Sequence, residues 1–492
     1  MNPKETQTRP LWRRVLRGIV VGAVALFLLA LTARLAWGYV EARRLNAEIA
    51  RIRAAGEPVT FEDLRSNTAC PVVRPSVETG EADDGGPYYE AALALLRDRD
   101  AEPLWNACGT YRDALRASPT SRPSRNVAES VDKLLLDNTL TLDMLDRGAQ
   151  CPTCRFAIGI EFGMGRCLEQ LARARAAAKL LAARTLVRAS QGQGDEAVES
   201  LISLLRLRRV FEPPITIAYL VKIASDSLAC EDAAIILEVC RPSDPALMRL
   251  GDALLTTDGP RLLERRIAER AYAEFSGETA KPPTLLERSL LAERVYGLQC
   301  MRDLISDRLG SASAAGAAGP LPGQWPAGGF WMRPMALHWA TGYLCDLSEF
   351  VQLARRPLPE ALDVIRRGGP ARSTFGRLIA PALEKMFVQT AGADAEARCA
   401  AVAVAVERYR RARNRLPASL DELVPEYARS LPSDPFTGKR LLYHHDGQGY
   451  LVYSVGENGK DDGGAVARAR QGEPPADRGI RVRLPSQGAG KP

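Results

Sequence analysis

Histidine is scarce in this chain. Its 492 residues contain only three, His338, His444 and His445. Zinc sites built on histidine and Ser–His or Cys–His nucleophile systems both need this side chain, so the scarcity argues against either. His338 stands in the apolar run Met335–Trp339, which favours a packed side chain over a catalytic base. Walker, H-E-x-x-H and Gly-x-Ser-x-Gly motifs are absent as well. These absences predict that the protein is not an enzyme.

The chain also lacks a strong charge of either sign. It carries 66 lysine and arginine residues against 59 aspartate and glutamate residues, a formal net charge of +7. The arginines are scattered among acidic residues in helical stretches, a pattern typical of a solvated surface. No aromatic-rich basic segment is present on which nucleic-acid bases could stack. We therefore predict no nucleic-acid partner.

One long hydrophobic run lies near the N-terminus. Gly18–Ala33 contains no charged residue, and the apolar character continues past Arg34. A helix of about 20 residues crosses the hydrocarbon core of a bilayer. Arg34 lies near one end and can extend its charge to the interface, where Trp37 and Tyr39 are also favoured. The run predicts a transmembrane helix over residues 16–40.

A cleaved signal peptide is the alternative interpretation of this run, because its uncharged core is short. No small-x-small cleavage site precedes Trp37, and an amphipathic helix continues through Val40–Ala54, so we predict an uncleaved anchor. Arginines flank the run on both sides and nearly cancel under the positive-inside rule; they are Arg9, Arg13, Arg14, Arg17, Arg34, Arg43, Arg44, Arg51 and Arg53. The four before the run favour a cytoplasmic N-terminus. The prediction is a single-pass protein of a bacterial inner (cytoplasmic) membrane, with its soluble part in the periplasm.

Helical periodicity dominates the soluble part. In the strongest block, Cys167–Val210, two leucine-rich helices flank the turn Gln191–Asp195. A helix, a Gly/Asp turn and a second helix form the pattern of one tetratricopeptide-like hairpin, although no 34-residue repeat follows. We predict a mainly α fold: an N-terminal transmembrane helix, an α-helical domain with this hairpin, and a small α+β module at the C-terminus.

Composition changes divide the chain. Gly310–Gly329 is rich in glycine, alanine, proline and serine, which is typical of a flexible linker. The predicted divisions are an N-terminal tail (1–15), the transmembrane helix (16–40), a helical domain (41–309), the flexible linker (310–330), further helices (331–395), the α+β module (396–485) and a tail (486–492).

Ten cysteines are present, an even number that suits disulfides if the soluble part is exported. Cys151 and Cys154 form the sharpest local motif, Cys-Pro-Thr-Cys. A redox pair needs a βαβ context, which the flanks lack, and a zinc site needs a second such pair. A structural disulfide between Cys151 and Cys154, or two unpaired thiols, are the interpretations left. Five other cysteines lie in apolar helical contexts, where a buried thiol is ordinary; they are Cys230, Cys240, Cys300, Cys345 and Cys399.

The chain changes character near its end. Two successive helices are predicted at Thr374–Thr390 and about Ala393–Arg413. A short helix follows, in which Ser419 and Glu422 have the spacing of a capping box, and then the turn Asp434–Gly438. An Asp-Gly hairpin signal separates two β-runs, and a third run follows a polar loop. The predicted strands are Arg440–His444, Tyr450–Val455 and Ile480–Leu484.

Residues 400–484 resemble the C-terminal region of the major (G-type) pseudopilin of type II secretion. The matching pieces are a helix with a late tyrosine, a Pro-x-Ser-Leu-x-Glu-Leu segment, an Asp-Pro-aromatic-x-Gly turn, and Tyr-Ser-x-Gly-x-Asn-Gly at Tyr453–Gly459. The resemblance implies a pseudopilin-like α+β module with a calcium site in the loop after that strand. By position Asn458, Asp461 and Asp462 would be the ligands, and Ca²⁺ takes such oxygens. A solvated acidic turn is the alternative.

The N-terminus departs from that family. No processed glycine followed by Phe-Thr-Leu-x-Glu occurs at Gly18, and about 360 residues separate the membrane segment from the module. The protein is therefore not expected to polymerise as a pilus subunit. A likeness of this kind is an analogy of fold and does not transfer function.

Together these patterns predict a membrane-anchored envelope protein that is not an enzyme and binds other envelope proteins through its helical domain. Arrays of paired helices offer concave surfaces for such binding. Two other functions stay open: an accessory of a type II secretion or pilus-like assembly, and an enzyme with an unrecognised carboxylate- or cysteine-based site. No cofactor is predicted from the residues themselves, and calcium enters only as what the resemblance to the pseudopilin implies.

Overall fold

Helices make up most of the chain in the computed structural model, with one small sheet near the C-terminus. The structure describes residues 11–66, 84–96, 101–118, 120–152, 154, 156, 164–211, 215–255, 284–305, 332–446, 448–466 and 476–484. The predicted linker at 310–330 and the tail at 486–492 lie outside these residues, as does most of the tail at 1–15. The mainly α prediction is confirmed.

The helices begin and end as follows: α1 Leu11–Ala54, α2 Phe61–Ser66, α3 Gly86–Leu95, α4 Ala101–Ala117, α5 Arg125–Asp137, α6 Thr139–Gln150, α7 Met164–Ser190, α8 Gly194–Leu207, α9 Thr216–Val239, α10 Asp244–Leu255, α11 Leu285–Ile305, α12 Arg333–Ala354, α13 Leu358–Arg366 and α14 Thr374–Arg413. Short 3₁₀ turns occupy Arg208–Phe211 and Leu420–Leu423.

Helix α1 is continuous from its apolar run into the folded body. Its apolar window is wholly unburied, and the helix is long and apolar enough to cross a membrane. Its last turns instead bury Leu45, Ile49 and Ile52 against α12. Gly56, at φ 72°, ends the helix in a Schellman motif, because its N–H donates to the Arg53 carbonyl and the next N–H to the Ile52 carbonyl.

Two apolar clusters form the core. The first contains residues of α3 to α10, the end of α14 and the sheet. The second contains the end of α1, α11, α12, α13 and the first half of α14. Helix α14 joins them, because Met386 and Phe387 pack in the second cluster and Val402 and Val406 in the first.

The separation of α14 into two predicted helices was wrong. One helix of 40 residues runs through the predicted break and also through the predicted division at residue 395. Ala391 and Gly392 are buried there, so tertiary packing offsets the low helix propensity of a single glycine.

The predicted hairpin in the helical domain is present as α7, a short turn and α8. Gly192 takes a φ of 77° in the turn, a conformation that favours glycine. Arg188 of α7 donates to the Glu196 carbonyl and to Ser200 Oγ of α8, which ties the two helices together. The finer likeness to a tetratricopeptide unit stays a prediction.

The sheet has three antiparallel strands in the order β1 (Leu442–Asp446), β2 (Gly449–Ser454) and β3 (Arg478–Arg483). These lie close to the predicted strands, and Leu442 pairs with Tyr453 and Ile480 with Val452. Strand β2 is buried along its whole length. The sheet packs on α14 and α9, so it belongs to the first apolar cluster. Likeness to a pseudopilin module stays a prediction.

The predicted capping box is only half formed. Ser419 precedes the 3₁₀ turn, but its side chain makes no capping hydrogen bond. Glu422 does reach back, and its Oε1 accepts from the Ala418 N–H at 2.6 Å. Its other oxygen accepts from the Tyr409 hydroxyl of α14, so a tertiary contact replaces the expected local one.

Candidate functional sites

A buried ionic cluster holds the end of α1 to the body. Arg294 of α11 is only 1% exposed and donates to Glu57 Oε2 at 2.6 Å, to Ser348 Oγ and to the Pro58 carbonyl. Arg355 donates to the second oxygen of Glu57 at 2.8 Å. Burial disfavours the charge on Glu57, but the two arginines outweigh it and lower its pKa. The segment just after α1 is therefore fixed in place.

A second polar cluster lies where α1 leaves its apolar run. Glu41 is 3% exposed and accepts from Trp37 Nε1 and Arg44 Nη1. Nδ1 of His338 stands 3.4 Å from Glu41 Oε2, and the histidine side chain is 56% exposed. The prediction that His338 is packed was wrong, because it lies on the outward face of α12 while its apolar neighbours face inward.

No disulfide joins any two of the nine cysteines in the part of the chain that the structure describes. Cys151 Sγ donates to the Arg147 carbonyl, and Arg209 Nη1 donates to the Cys151 carbonyl at 2.8 Å. Cys154 is half-buried against the first apolar cluster. The structure thus places Cys151 and Cys154 at one end of α6, and a disulfide between them stays a prediction.

Five buried thiols share one electrostatic property. Burial raises the pKa of Cys108 and Cys167 to about 11 and of Cys240 to about 12, and it raises those of Cys230 and Cys399 well above 9.0. A thiol must lose its proton to attack or to bind a metal. These five are therefore poor nucleophiles at neutral pH.

The residues predicted to bind calcium lie in the loop after β2, where their polar groups already have partners. Asn458 Nδ2 donates to Asp462 Oδ2 at 2.7 Å, and Asp461 Oδ1 accepts from the Tyr453 hydroxyl and the Gly463 N–H. Among the described residues, no three acidic, histidine or cysteine side chains form a group that could hold a metal ion. The loop therefore has too few converging side-chain oxygens for a cage by itself, and calcium binding stays a prediction.

Asp477, which no sequence pattern indicates, organises this loop. Its carboxylate is fully buried and accepts from the N–H groups of Asp462, Gly464 and Ala465. The residue stands just before β3 within a polar Pro/Gly-rich stretch, where an aspartate carries no distinctive signal. Asp434 holds the turn before β1 in a similar way. Its carboxylate accepts hydrogen bonds from the Phe436 N–H and the Ser454 hydroxyl, each at 2.8 Å.

A cleft of about 280 Å³ opens beside the second apolar cluster, which contributes Tyr219, Leu285, Leu286 and Ala354 to its wall. Its walls come from α9, the start of α11, the α12–α13 connection, the middle of α14 and the turn at 433–435. Lys222 and Asp226 of α9 form an ion pair in the wall, with Nζ and Oδ2 2.7 Å apart and each side chain only 6% exposed. No local pattern in the sequence indicates this cleft.

The remaining polar lining comes from α14 and its neighbours. Asp394 pairs with Arg398 at 2.6 Å, and Arg398 also donates to the Ser433 carbonyl. The hydroxyls of Tyr219 and Thr390 are 2.9 Å apart. Leucine, isoleucine and proline side chains supply the apolar part of the wall. The arrangement can bind a small molecule that presents both charge and apolar surface.

No family model, curated protein or solved structure matches this chain.

Proposed function

We propose that this is a single-pass, membrane-anchored envelope protein that binds other proteins through its helical body and is not an enzyme. The observation that carries the proposal is the division of α1 into two environments. Val21, Leu26 and Leu29 are each 67% exposed, whereas the later turns of the same helix pack in the second apolar cluster.

The exposed part of α1 supports an anchor because water is a poor solvent for it. A core helix of a soluble protein would bury these side chains, and an apolar surface all round a helix is typical of a membrane span. The unbroken helix and the fixed segment around Glu57 support retention of α1 in the mature protein. The arginines that precede the run support a cytoplasmic N-terminus and a periplasmic body.

Protein binding is supported by exposed apolar side chains on the helical body. Leu136, at the end of α5, is 75% exposed, and Leu140, at the start of α6, is 59% exposed. They flank the junction of these two helices and give a small apolar projection away from both clusters. A contiguous exposed apolar patch can mark a protein interaction site, so these two leucines are the candidate contacts for a partner.

Membrane fractionation with a topology reporter tests the anchor. We expect the full chain to stay in the membrane pellet after alkaline carbonate extraction, and a periplasm-reporting fusion at the C-terminus to be active. Replacing both Leu26 and Leu29 with arginine should release the protein into the soluble fraction. Replacing both Leu136 and Leu140, which are exposed on the body, with arginine should not. Release of the unaltered chain by carbonate would refute the anchor.

Photo-crosslinking from position 136 in intact cells tests the binding role. We expect discrete adducts with other envelope proteins, and fewer adducts from a probe at position 129, a charged surface position on the same helix. Adducts limited to lipid, or identical patterns from both positions, would argue against a binding surface there.

An accessory role in a secretion or pilus-like assembly is the second candidate. It is supported by the sheet of the C-terminal module, which lies on a long helix with Tyr450 donating to the Ala403 carbonyl at 3.0 Å. Crosslinks from the sheet edge at position 444 to secretion components would favour this candidate over general envelope binding.

A further inference from the structure

The cleft beside the second apolar cluster has a buried ion pair in its wall. Lys222 and Asp226 are on successive turns of α9 and are almost completely removed from water. Desolvating an ammonium and a carboxylate costs about as much as their mutual attraction returns, and apolar side chains of similar volume stabilise such a position equally well or better. A buried ion pair in the wall of a cavity is therefore a candidate for ligand recognition.

The charges that line the cleft are balanced. The cations are Lys222, Arg356 and Arg398, and the anions are Asp226, Asp394 and Asp434. A phosphate or another multiply anionic ligand would face three carboxylates, and a polyamine would face three cations. Both are disfavoured, whereas a ligand with one charge of each sign can place its two ends beside opposite partners.

The position of Arg356 predicts the orientation of the bound ligand. Its side chain is exposed at the edge of the cleft, while the Lys222–Asp226 pair lies inside. Arginine recognises a carboxylate through two parallel hydrogen bonds. A carboxylate at the mouth and an ammonium near the Asp226 and Asp394 carboxylates would then span the cleft.

Size and apolar lining narrow the ligand further. A volume of about 280 Å³ lies at the lower end of the range of about 300–1,000 Å³ for small-molecule pockets, which limits the occupant to a small molecule. Ile223, Leu285 and Leu358 form part of the wall and suit an aliphatic side chain. We propose that this cleft binds a small zwitterion with an apolar side chain, an α-amino acid or a dipeptide, held by the Lys222–Asp226 pair and Arg356.

Calorimetric titration of the full-length protein in detergent micelles tests the proposal. The probes are L-leucine, L-leucyl-glycine and N-acetyl-L-leucinamide, which keeps the leucine side chain but has neither terminal charge. We expect one of the two zwitterions to bind and the blocked compound to bind at least about tenfold more weakly, a difference of about 1.4 kcal/mol. The stronger zwitterion identifies an amino acid or a dipeptide as the source.

A double variant isolates the ion pair. Lys222→Met with Asp226→Leu keeps the side-chain volume and should leave the melting temperature unchanged or higher, while binding of the zwitterion weakens about tenfold or more. The matched control is Arg112→Met with Asp232→Leu. It removes a buried pair that joins α4 to α9, with nitrogen and oxygen 2.9 Å apart, away from the cleft. This variant should bind the zwitterion as the unaltered protein does.

Three results would overturn the proposal. They are no heat of binding for either zwitterion at millimolar concentration, equal affinity for the blocked compound, and unchanged affinity in the Lys222/Asp226 double variant. If that double variant fails to fold, the single variant Arg356→Ala is used to test the site. This change is at an exposed position and should weaken zwitterion binding without altering the melting temperature, and unchanged affinity would count against the site.

Discussion

Buried carboxylates fix the conformation of the C-terminal loops. Asp477 and Asp434 each accept hydrogen bonds from backbone or hydroxyl groups that are distant in sequence. A buried polar group that loses its partner bears the full cost of desolvation, whereas an exposed one does not. Loops held this way owe their conformation to one residue each, which makes them sensitive to single substitutions.

Replacing Asp477 with alanine should loosen the loop after β2. The N–H groups of Gly464 and Ala465 would lose their acceptor, which lowers the free energy of unfolding by about 1–3 kcal/mol. We expect faster hydrogen exchange of these two amides with little change in α14. Glu457→Gln, an exposed change in the same loop, is the control, and equal exchange in the two variants would show that Asp477 does not hold the loop.

The Glu422 carboxylate should make stability depend on acid pH. Hydrogen bonds from Tyr409, Arg415 and the Ala418 N–H lower its pKa from 4.5 to about 2. Because the folded pKa lies below the unfolded one, the contribution of Glu422 to stability is complete above about pH 4.5 and is lost as the pH falls toward 2.

Melting temperature measured against pH tests this contribution. We expect Glu422→Gln to melt below the unaltered protein at neutral pH, with the gap closing between about pH 4.5 and 2. Glu426→Gln removes a carboxylate of an exposed pair with Arg413 and should show a smaller gap. A gap for Glu422→Gln that stays constant over this range would contradict the lowered pKa.

At the scale of elements, the fold depends on how α1, α11 and α12 meet. In addition to the apolar packing of the second cluster, two specific contacts hold these helices: the ionic cluster around Glu57 and the close approach at a glycine. Each can be changed without altering the helices themselves, so each predicts a measurable loss at the helix junction.

Removing the Glu57 carboxylate should be costly. Glu57→Ala leaves Arg294 buried without its carboxylate partner, and breaking a buried pair this way costs about 3–5 kcal/mol. Glu129→Ala breaks an exposed pair with Arg125 and should cost at most about 1 kcal/mol. Thermal melting in detergent compares the two, and similar melting temperatures would mean that the cluster does not hold α1.

Gly297 allows α11 to approach α12. A Cβ at this position would overlap the Tyr343 hydroxyl, which donates to the Glu293 carbonyl at 2.7 Å. Gly297→Ala should therefore cost about 1–3 kcal/mol through overpacking. Gly109→Ala, within α4 where nothing lies within 4 Å of the added atom, should be neutral or stabilising. Equal melting temperatures for the two variants would refute the close approach.

On the scale of the whole molecule, α1 belongs both to the proposed membrane segment and to the second apolar cluster. A rigid connection of this kind would place the body directly at the membrane surface. It also means that removal of α1 should have two separable effects, one on membrane attachment and one on folding.

Two truncations distinguish these effects. A chain that begins at Glu41 keeps the packed turns of α1 and should be soluble and folded. A chain that begins at Gly56 loses Leu45, Ile49 and Ile52, and losing buried side chains of this size costs about 2–5 kcal/mol each. This sum is comparable to the total stability of a typical domain, so we expect aggregation or a greatly lowered melting temperature. Equal melting of both truncations would show that α1 is not part of the core.

Local patterns along the chain were sufficient to predict the apolar helix near the N-terminus, the helical body and the three short strands. Periodicity, turn residues and uncharged runs act between residues a few positions apart, so they can be interpreted without a partner. The same patterns failed at α14, where buried packing around Gly392 carries the helix through a sequence that alone favours a break.

Contacts between segments that are distant in sequence depend on the tertiary structure. Glu57 and Arg294 are 237 positions apart, and the walls of the cleft come from five separate segments. Local sequence was enough to predict a mainly helical chain, three short strands near its end and one run apolar enough for a membrane. Which charges become buried, which carboxylates hold loops and where a cleft remains depended on long-range packing, because burial and partners exist only once distant segments meet.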